Sequence, residues 1–370
     1  MSHTPNGGRP ASPSIGYVHL GAFSGSAISL REALAERTPL ATLDLRSVSR
    51  EPRMLAARVA ASSEALVSPG RFHRAKTAAW SKALESRYER TSKLRHRPTI
   101  FVQSMLAFSR IKVPYVVYTD RVALEGRAQS ERFLPEISQR WLRRERTFLA
   151  RAEKVCVMGP TTVPFLVDQY GLSPERVEVV GTGPSAHPIE PVLSNRARRL
   201  LFIGTQWELK GGPDLLEAFA RVRGDFDDLQ LRLVGSGPTG PPPPGVVALG
   251  RVPRERMPEL LEWAHIVVMP TYVEALGNAL LEAMLSGIPC VGTDIGNQPE
   301  VIGDAGEMVT PGKPEQLAAA LKRIISDYPR YKELALRRRS HLRETFDWDH
   351  VANALLAALR TPPDRSGPER

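Results

Sequence analysis

The feature that most constrains the fold is an alternation of short apolar segments with helical stretches, which runs through the chain in two series. The first half contains IGYVHL, TIFVQS and PYVVYTD, and the second half contains RRLLFIG, LQLRLVG and HIVVMPT. Strands that are apolar on both faces, with helices between them, predict parallel sheets covered on both sides. Two such series predict an α/β protein with two doubly wound, Rossmann-like domains. Ligands of such sheets bind at the carboxyl ends of the strands, so we expect a site in a central cleft between the domains.

The length of 370 residues agrees with two domains, because a single hydrophobic core rarely serves so long a chain. We expect a disordered lead over residues 1–13 and a first domain over 14–183. The Pro-rich run PSAHPIEPVLSNRAR, residues 184–198, lacks any apolar period and predicts a linker. A second domain then spans 199–340, and a closing segment spans 341–370.

The composition indicates where the protein is located and whether its cysteines form a disulfide or a metal site. No apolar run reaches the roughly 20 residues that span a bilayer, and the first residues lack the apolar centre of a signal peptide. These features indicate a cytoplasmic protein. The two cysteines, Cys156 and Cys290, each lie in an apolar run typical of a buried strand, which favours inert thiols over a disulfide or a metal pair.

The positive charge lies in the first half, where residues 1–200 hold 31 basic and 17 acidic residues, against 19 and 23 in residues 201–370. Segment 71–97 alone holds nine bases and two acids. Apolar residues recur in this segment at helical spacing and form a stripe. A basic amphipathic helix there would contact the inner face of an anionic membrane, or an anionic acceptor. The alternative is that the apolar stripe packs onto the domain. A nucleic-acid binder is disfavoured, since no zinc, helix-turn-helix or RNA-strand motif is present. The stripe recurs at three- and four-residue steps over Phe72, Ala75, Ala79, Trp80, Ala83, Leu84 and Tyr88.

Two glycine-rich loops are candidate phosphate sites. The first, LGAFSGSAISL, places Gly21, Ser24 and Gly25 between a strand and a helix, where small residues let a phosphate approach the backbone. The alternative is a tight turn. The second, GSGPTG at 235–240, matches a dinucleotide fingerprint, but the prolines at 241–244 prevent the helix that this fingerprint requires. A nicotinamide or flavin site is therefore rejected, and no P-loop motif occurs.

The second half offers three charged candidates. Lys210 lies in the loop after the strand that ends at Gly204, where its ammonium would meet a phosphate; the alternative is a solvent-exposed lysine. Glu274 and Glu282 lie in TYVEALGNALLEAML, before and inside a helix that begins near Gly277. Five residues into a helix is about 7.5 Å along its axis, which is close to the separation of a nucleotide's diphosphate from its ribose. The alternative is a loop carboxylate and an exposed helical stripe.

Residues 199–328 resemble the donor-binding domain of retaining family-4 glycosyltransferases of the GT-B architecture. The resemblance is carried by FIGTQWELKGGPDLLEAF, VVALGRVP and LLEAMLSGIPCVGTD, and by the E-x7-E pair. It implies that Glu274 touches the donor sugar, Glu282 holds the ribose and Lys210 binds the diphosphate. The tail TFDWDHVANALLAAL is similar to the helix that crosses back to the first domain in this family. Further donor contacts implied by the resemblance are Thr205, Leu276, Gly277 and Asn278, together with the loop of Gly21, Ser24 and Gly25.

Two positions depart from the family pattern. Thr205 follows Gly204 where the family commonly has an arginine. Gln103 or Asp120 stands near the place of a histidine that touches the sugar, and the sequence does not decide between them. The resemblance implies a retaining, metal-independent transferase without a resident cofactor, which uses a nucleotide-diphosphate sugar as co-substrate. A catalytically silent nucleotide-sugar sensor and a nucleotide-sugar epimerase are the alternatives, and the acceptor is not identified.

Overall fold

The structure is a computed structural model that describes residues 14–21, 25–48, 59–60, 62, 76–134, 136–185, 188–192 and 194–360. The predicted lead, 1–13, lies outside the described residues, as do 361–370. Two six-stranded sheets form the framework, one in each half of the chain.

The first sheet has the strand order β2-β1-β3-β4-β5-β6, and every neighbouring pair is parallel. Its strands are β1 Ile15–His19, β2 Leu40–Asp44, β3 Thr99–Val102, β4 Tyr115–Thr119, β5 Lys154–Val157 and β6 Val177–Val179. The helices around it are α1 Ser26–Ala35, α2 Leu45–Val48, α3 Ala78–Glu89, α4 Ala123–Gln129 and α5 Gln139–Arg151. Short helical turns cover Ser92–Leu94, Ser104–Leu106, Pro160–Thr162, Phe165–Gln169 and Pro174–Arg176.

The second sheet has the order β12-β11-β10-β7-β8-β9 and is also parallel throughout. Its strands are β7 Arg199–Gly204, β8 Gln230–Gly235, β9 Val246–Gly250, β10 Ile266–Val268, β11 Cys290–Thr293 and β12 Gly306–Val309. The helices that follow them are α6 Gly212–Arg223, α7 Met257–Trp263, α8 Asn278–Leu285, α9 Gln298–Ile302, α10 Pro314–Ser326, α11 Tyr328–Thr345 and α12 Trp348–Arg360. A short helical turn, Arg254–Arg256, precedes α7.

The central strands of both sheets are buried on both faces, as their continuous apolar sequences predict, whereas four of the five residues of the edge strand β9 are exposed. All five residues of β4 and all four of β11 are buried. Each sheet separates two apolar clusters, which the flanking helices complete. Cys156 and Cys290 are buried free thiols in β5 and β11.

The last helix returns to the first domain. Val351 and Leu355 of α12 join the cluster that contains Tyr17 of β1. The Trp348 indole donates a hydrogen bond to the Pro184 carbonyl, 2.9 Å away, at the start of the linking segment. The described residues of 184–198 contain no helix or strand.

The strand orders place one reversal of direction in each sheet, between β1 and β3 and between β7 and β10. At such a point the two neighbouring strands feed loops that diverge to opposite faces, which leaves a crevice at their carboxyl ends. The loops that hold Lys210 and Glu274 follow β7 and β10. The loop with Gly21 and Gly25 and the residue Gln103 follow β1 and β3.

The apolar stripe of segment 71–97 packs inward over its described part. Leu84 and Tyr88 of α3 are buried in the domain core, and Trp80 and Ala83 pack against that core. Phe72 and Ala75 lie outside the described residues. These inward-facing side chains are not available for insertion into a bilayer, so α3 is not a membrane-lying amphipathic helix. What stays on the surface is a group of bases, here called the basic surface: half-buried Arg87 and exposed Arg90, Lys93 and Arg95.

Candidate functional site: a cleft at the switch point of the second sheet

The loops after β7 and β10 are joined by direct contacts. The Tyr272 N–H donates to the Leu209 carbonyl at 2.9 Å. Gly211 has a φ of 71°, and a Cβ there would lie 2.0 Å from the Pro270 oxygen, so this approach requires glycine. Because β7 and β10 are neighbours, residues more than sixty positions apart in sequence share one wall of the cleft.

Lys210 and Glu274 meet at that wall. The Lys210 Nζ lies 2.5 Å from the Glu274 Oε2, and the two side chains are 18% and 16% exposed. Burial alone would raise the pKa of Glu274, but the charge and hydrogen bond of Lys210 outweigh it and hold this pKa below its usual value. The pair therefore presents an ionised carboxylate and an ammonium side by side in a largely water-excluded place.

The backbone of Glu274 is clamped from two directions. The side-chain amide of Gln129, at the end of α4 in the first domain, donates to the Glu274 carbonyl at 2.8 Å and accepts from its N–H at 3.1 Å. Asn297 donates to the Ala275 carbonyl at 2.8 Å and accepts from the Thr161 N–H of the first domain at 3.2 Å. The position of Glu274 thus depends on residues of both domains.

The N-terminus of α8 opens onto the same space. Leu276, Gly277 and Asn278 line a cavity of about 560 Å³ together with Lys210 and Glu274. Glu282 is 7% exposed and also lines it from the second turn of α8. Neither Glu274 nor Glu282 is therefore an ordinary surface carboxylate. The amides of a helix's first turn carry partial positive charge, which suits the cavity to an anion.

Thr205 lines the cavity and carries no charge, yet three arginines that sequence reasoning missed line it as well. Arg46 follows β2 in the first domain, and Arg251 and Arg254 follow β9 in the second. The run GRVPRER at 250–256 was the signal that could have pointed to the last two, since it begins where β9 ends. With Lys210, the cavity wall carries four cations against Asp120, Glu274 and Glu282.

The glycine-rich loop after β1 lies at the edge of the cavity. The Gly21 N–H donates to the Asp44 carboxylate at 2.9 Å, and Gly21 does not line the cavity. Gly25 has a φ of 92°, and a Cβ there would lie 2.4 Å from the Arg254 Nη1. The next residue, Ser26, lines the cavity and accepts a hydrogen bond from the Asn278 side chain at 3.2 Å. Ser24 lies outside the described residues.

Gln103 and Asp120 lie together at a second cavity of about 110 Å³, here called the side pocket. Gln103 follows β3 with a φ of 85°, which is unusual for a residue other than glycine. Asp120 follows β4 and lines both cavities, so it forms a common wall. Burial raises the pKa of Asp120, and the neighbouring Arg121 opposes this in part.

Over the described residues, no helix is both long enough and apolar enough to cross a membrane.

Comparison with known proteins assigns the fold and the type of the second domain. Residues 197–327 match the family model described as Glycosyl transferases group 1. The chain is 28% identical over 285 residues to a D-inositol 3-phosphate glycosyltransferase of Rhodococcus erythropolis, covering 69% of this chain and 64% of that protein. It is 30% identical over 219 residues to an MMP alpha-(1->4)-mannosyltransferase of Mycolicibacterium hassiacum, covering 55% and 53%. The chain thus spans less than two thirds of the length of these curated relatives.

Solved structures agree over nearly the whole chain. Sucrose-phosphate synthase from Thermosynechococcus elongatus superimposes with a TM-score of 0.67 at 17% identity, covering 94% of this chain and 98% of that one. Anabaena HepE in complex with UDP-glucose gives a TM-score of 0.65 at 14% identity, covering 93% and 99%. The predicted GT-B fold, with two parallel α/β domains, is confirmed.

Proposed function

We propose that this protein is a glycosyltransferase that moves a sugar from a nucleotide-diphosphate sugar to an acceptor held by the first domain. The observation that carries this proposal is the Lys210–Glu274 pair at the switch point of the second sheet, beside the N-terminus of α8. Two kinds of similarity support it. The two curated relatives described above are named as a glycosyltransferase and a mannosyltransferase, and a solved structure of similar fold contains UDP-glucose.

The donor's diphosphate would lie between Lys210 and the first amides of α8. An ammonium and a helix N-terminus both stabilise phosphate, and both are held in place by the fold. Arg251 and Arg254 add positive charge at the same cavity. These two arginines would bind the phosphate in place of the arginine that the family commonly has at the position of Thr205. Because these groups supply the counter-charge, we propose that the reaction needs no metal ion and no resident cofactor.

The two carboxylates have separate roles in this proposal. Glu282, one and a half turns into α8, accepts hydrogen bonds from the ribose diol, since a carboxylate can accept from both hydroxyls. Glu274 touches the donor sugar, because it adjoins Lys210 and therefore the distal phosphate. Leu276 forms an apolar part of the wall between them.

We propose a retaining reaction on one face of the sugar. The bond from the anomeric carbon to the phosphate oxygen breaks, and a bond to the acceptor oxygen forms on the same face. The leaving phosphate takes the acceptor's proton. The protein then positions both substrates and stabilises the charge that grows on the phosphate, and Lys210 with the amides at Gly277 and Asn278 can do this.

The test is transfer and donor hydrolysis by purified protein with a panel of nucleotide sugars, in the presence of EDTA. We expect one donor to raise the melting temperature and to be consumed, and Lys210→Met to lower the rate of consumption about 10²- to 10³-fold. Lys82→Met, an exposed lysine of α3, is the matched control and should react like the wild type. A folded Lys210→Met protein with the wild-type rate would overturn the diphosphate assignment. Donor binding without turnover would favour the sensor, and a changed sugar on the unreacted donor would favour the epimerase.

A further inference from the structure

The side pocket adjoins the cleft but belongs to the first domain. It lies at the carboxyl ends of β3 and β4, and it is lined by Lys76, Gln103, Arg121, Trp141 and Glu145 among others. Its volume of about 110 Å³ corresponds to three or four water molecules at roughly 30 Å³ each. That is room for a phosphate-sized group.

The carboxylates at the side pocket already have partners. Glu145 is fully buried, and its two oxygens accept hydrogen bonds from the hydroxyls of Ser104, at 2.8 Å, and Tyr170. Asp120 accepts from the Arg121 N–H at 2.9 Å. The carboxylates that line the pocket thus already accept hydrogen bonds from groups of the protein.

The cations at the side pocket, unlike the carboxylates, are not paired with other side chains of the described residues. Within the described part of the chain, neither the Lys76 ammonium nor the Arg121 guanidinium forms an ion pair or a side-chain hydrogen bond. The Lys76 Nζ lies 6.0 Å from the centre of the Trp141 ring. Burial lowers the pKa of Lys76, and the nearby Glu145 opposes this in part. Two cations beside occupied carboxylates leave the pocket able to hold an anion.

Two buried polar atoms add an independent observation. The Trp141 indole nitrogen and the Gln103 Oε1 have no hydrogen-bond partner among the residues that the structure describes, although Trp141 is fully buried. Buried polar groups are nearly always paired in folded proteins, so these two atoms indicate a polar ligand. The Trp141 N–H is a donor and suits an oxyanion, whereas the Gln103 Oε1 is an acceptor and would need a hydroxyl of the same ligand.

We propose that the side pocket binds an oxyanion carried by the sugar acceptor, a phosphate monoester, which Lys76 and Arg121 neutralise and the Trp141 N–H helps to bind. This inference rests on the proposed function, because it makes the pocket the anchor of the acceptor. Asp120 separates the side pocket from the cleft, so an acceptor anchored there presents its hydroxyls past Asp120 toward Glu274.

The test uses inorganic phosphate as the probe, measured by calorimetry with full-length protein. Phosphate can also bind in the cleft, so every protein carries Lys210→Met to weaken binding there. The dependence of the remaining binding on Lys76 then separates the side pocket from the three arginines of the cleft. We expect the Lys210→Met protein to bind phosphate, and an added Lys76→Met to weaken binding tenfold or more. Trp141→Phe, which removes the N–H and leaves a smaller aromatic ring, should weaken it severalfold, with thermal melting as the check on folding, and Lys82→Met should leave it unchanged.

Equal phosphate binding in the Lys76→Met, Trp141→Phe and Lys82→Met proteins would overturn the proposal. Acetate bound as tightly as phosphate would overturn the phosphate assignment and replace it with a carboxylate. Where Lys76→Met does not fold, Arg121→Gln takes its place, with thermal melting as the check on folding. If the donor panel fails while phosphate binding still depends on Lys76, the side pocket stands as an anion site and the transferase assignment falls.

Discussion

Gln129 does not line the cleft, yet the structure makes it a positioning residue for Glu274. Its amide forms two hydrogen bonds, of 2.8 and 3.1 Å, to the backbone of Glu274 across the boundary between the domains. We predict that Gln129→Met, which keeps the side-chain volume and removes both hydrogen bonds, lowers kcat. The Gln129 amide can hold the loop that carries Glu274 only while α4 stays in contact with this loop.

The size of the effect follows from the two bonds. A neutral hydrogen bond contributes about 0.5–1.5 kcal/mol net, so both together hold the Glu274 loop by about 1–3 kcal/mol. If catalysis requires that placement, kcat should fall by a factor of roughly 5 to 150, since about 1.4 kcal/mol corresponds to tenfold. The KM for the donor should change little, because Lys210 and the α8 amides are untouched.

The assay is steady-state transfer with the donor that the panel identifies, with thermal melting as the check on folding. Gln139→Met is the matched control, because Gln139 is exposed at the start of α5 and should give wild-type kinetics. Gln129→Glu should behave like Gln129→Met or worse, since a carboxylate cannot donate to the Glu274 carbonyl. A Gln129→Met protein with wild-type kcat would refute the reasoning, and so would one in which kcat is unchanged and only the donor KM rises.

Three further outcomes can be measured on the same protein. Glu282→Gln should mainly raise the donor KM, because the ribose is held alike before and during reaction, whereas Glu274→Gln should mainly lower kcat; the reverse pattern would exchange their roles. Burial raises the pKa of Glu125 from 4.5 to about 7, so the folded protein keeps a proton that the unfolded chain has lost. Stability should therefore fall by up to about 3 kcal/mol as pH rises from 4.5 to 7, and urea unfolding of Glu125→Gln should lack this component. Vesicle flotation tests the basic surface: with anionic lipid at low salt the protein should float, and replacing its four bases with Gln should release it, while unchanged flotation would exclude this surface.

The framework could be predicted from sequence, and the residues of the proposed donor site could be named, because their signals are local. About ten consecutive residues are enough to indicate each feature: the apolar strand, the loop with Lys210 and the helix that begins after Gly277. The fold then brings these runs together, because β7 and β10 are neighbours. That Lys210 and Glu274 touch could not be derived from spacing, since only the order of strands decides it.

The side pocket, proposed to hold the acceptor, was less predictable, because its residues come from places that no local pattern connects. Lys76, Gln103 and Trp141 belong to three separate segments, and each is an ordinary residue within its own run. The stripe of α3 gave a clear helical period, but periodicity does not tell whether an apolar face meets a membrane or the protein's own core. Leu84 and Tyr88 show that in this chain it meets the core.

Two of the residues proposed to hold the donor also contact the first domain. Asn278 donates a hydrogen bond to Ser26 across the cleft, and Arg254 lies against Gly25. A ligand that binds more tightly when these contacts are formed must favour the closed arrangement of the domains by the same free energy. If the donor binds as proposed, its binding and the formation of these two contacts are thermodynamically linked. Weakening the Asn278–Ser26 contact should then lower the donor's effect on the melting temperature.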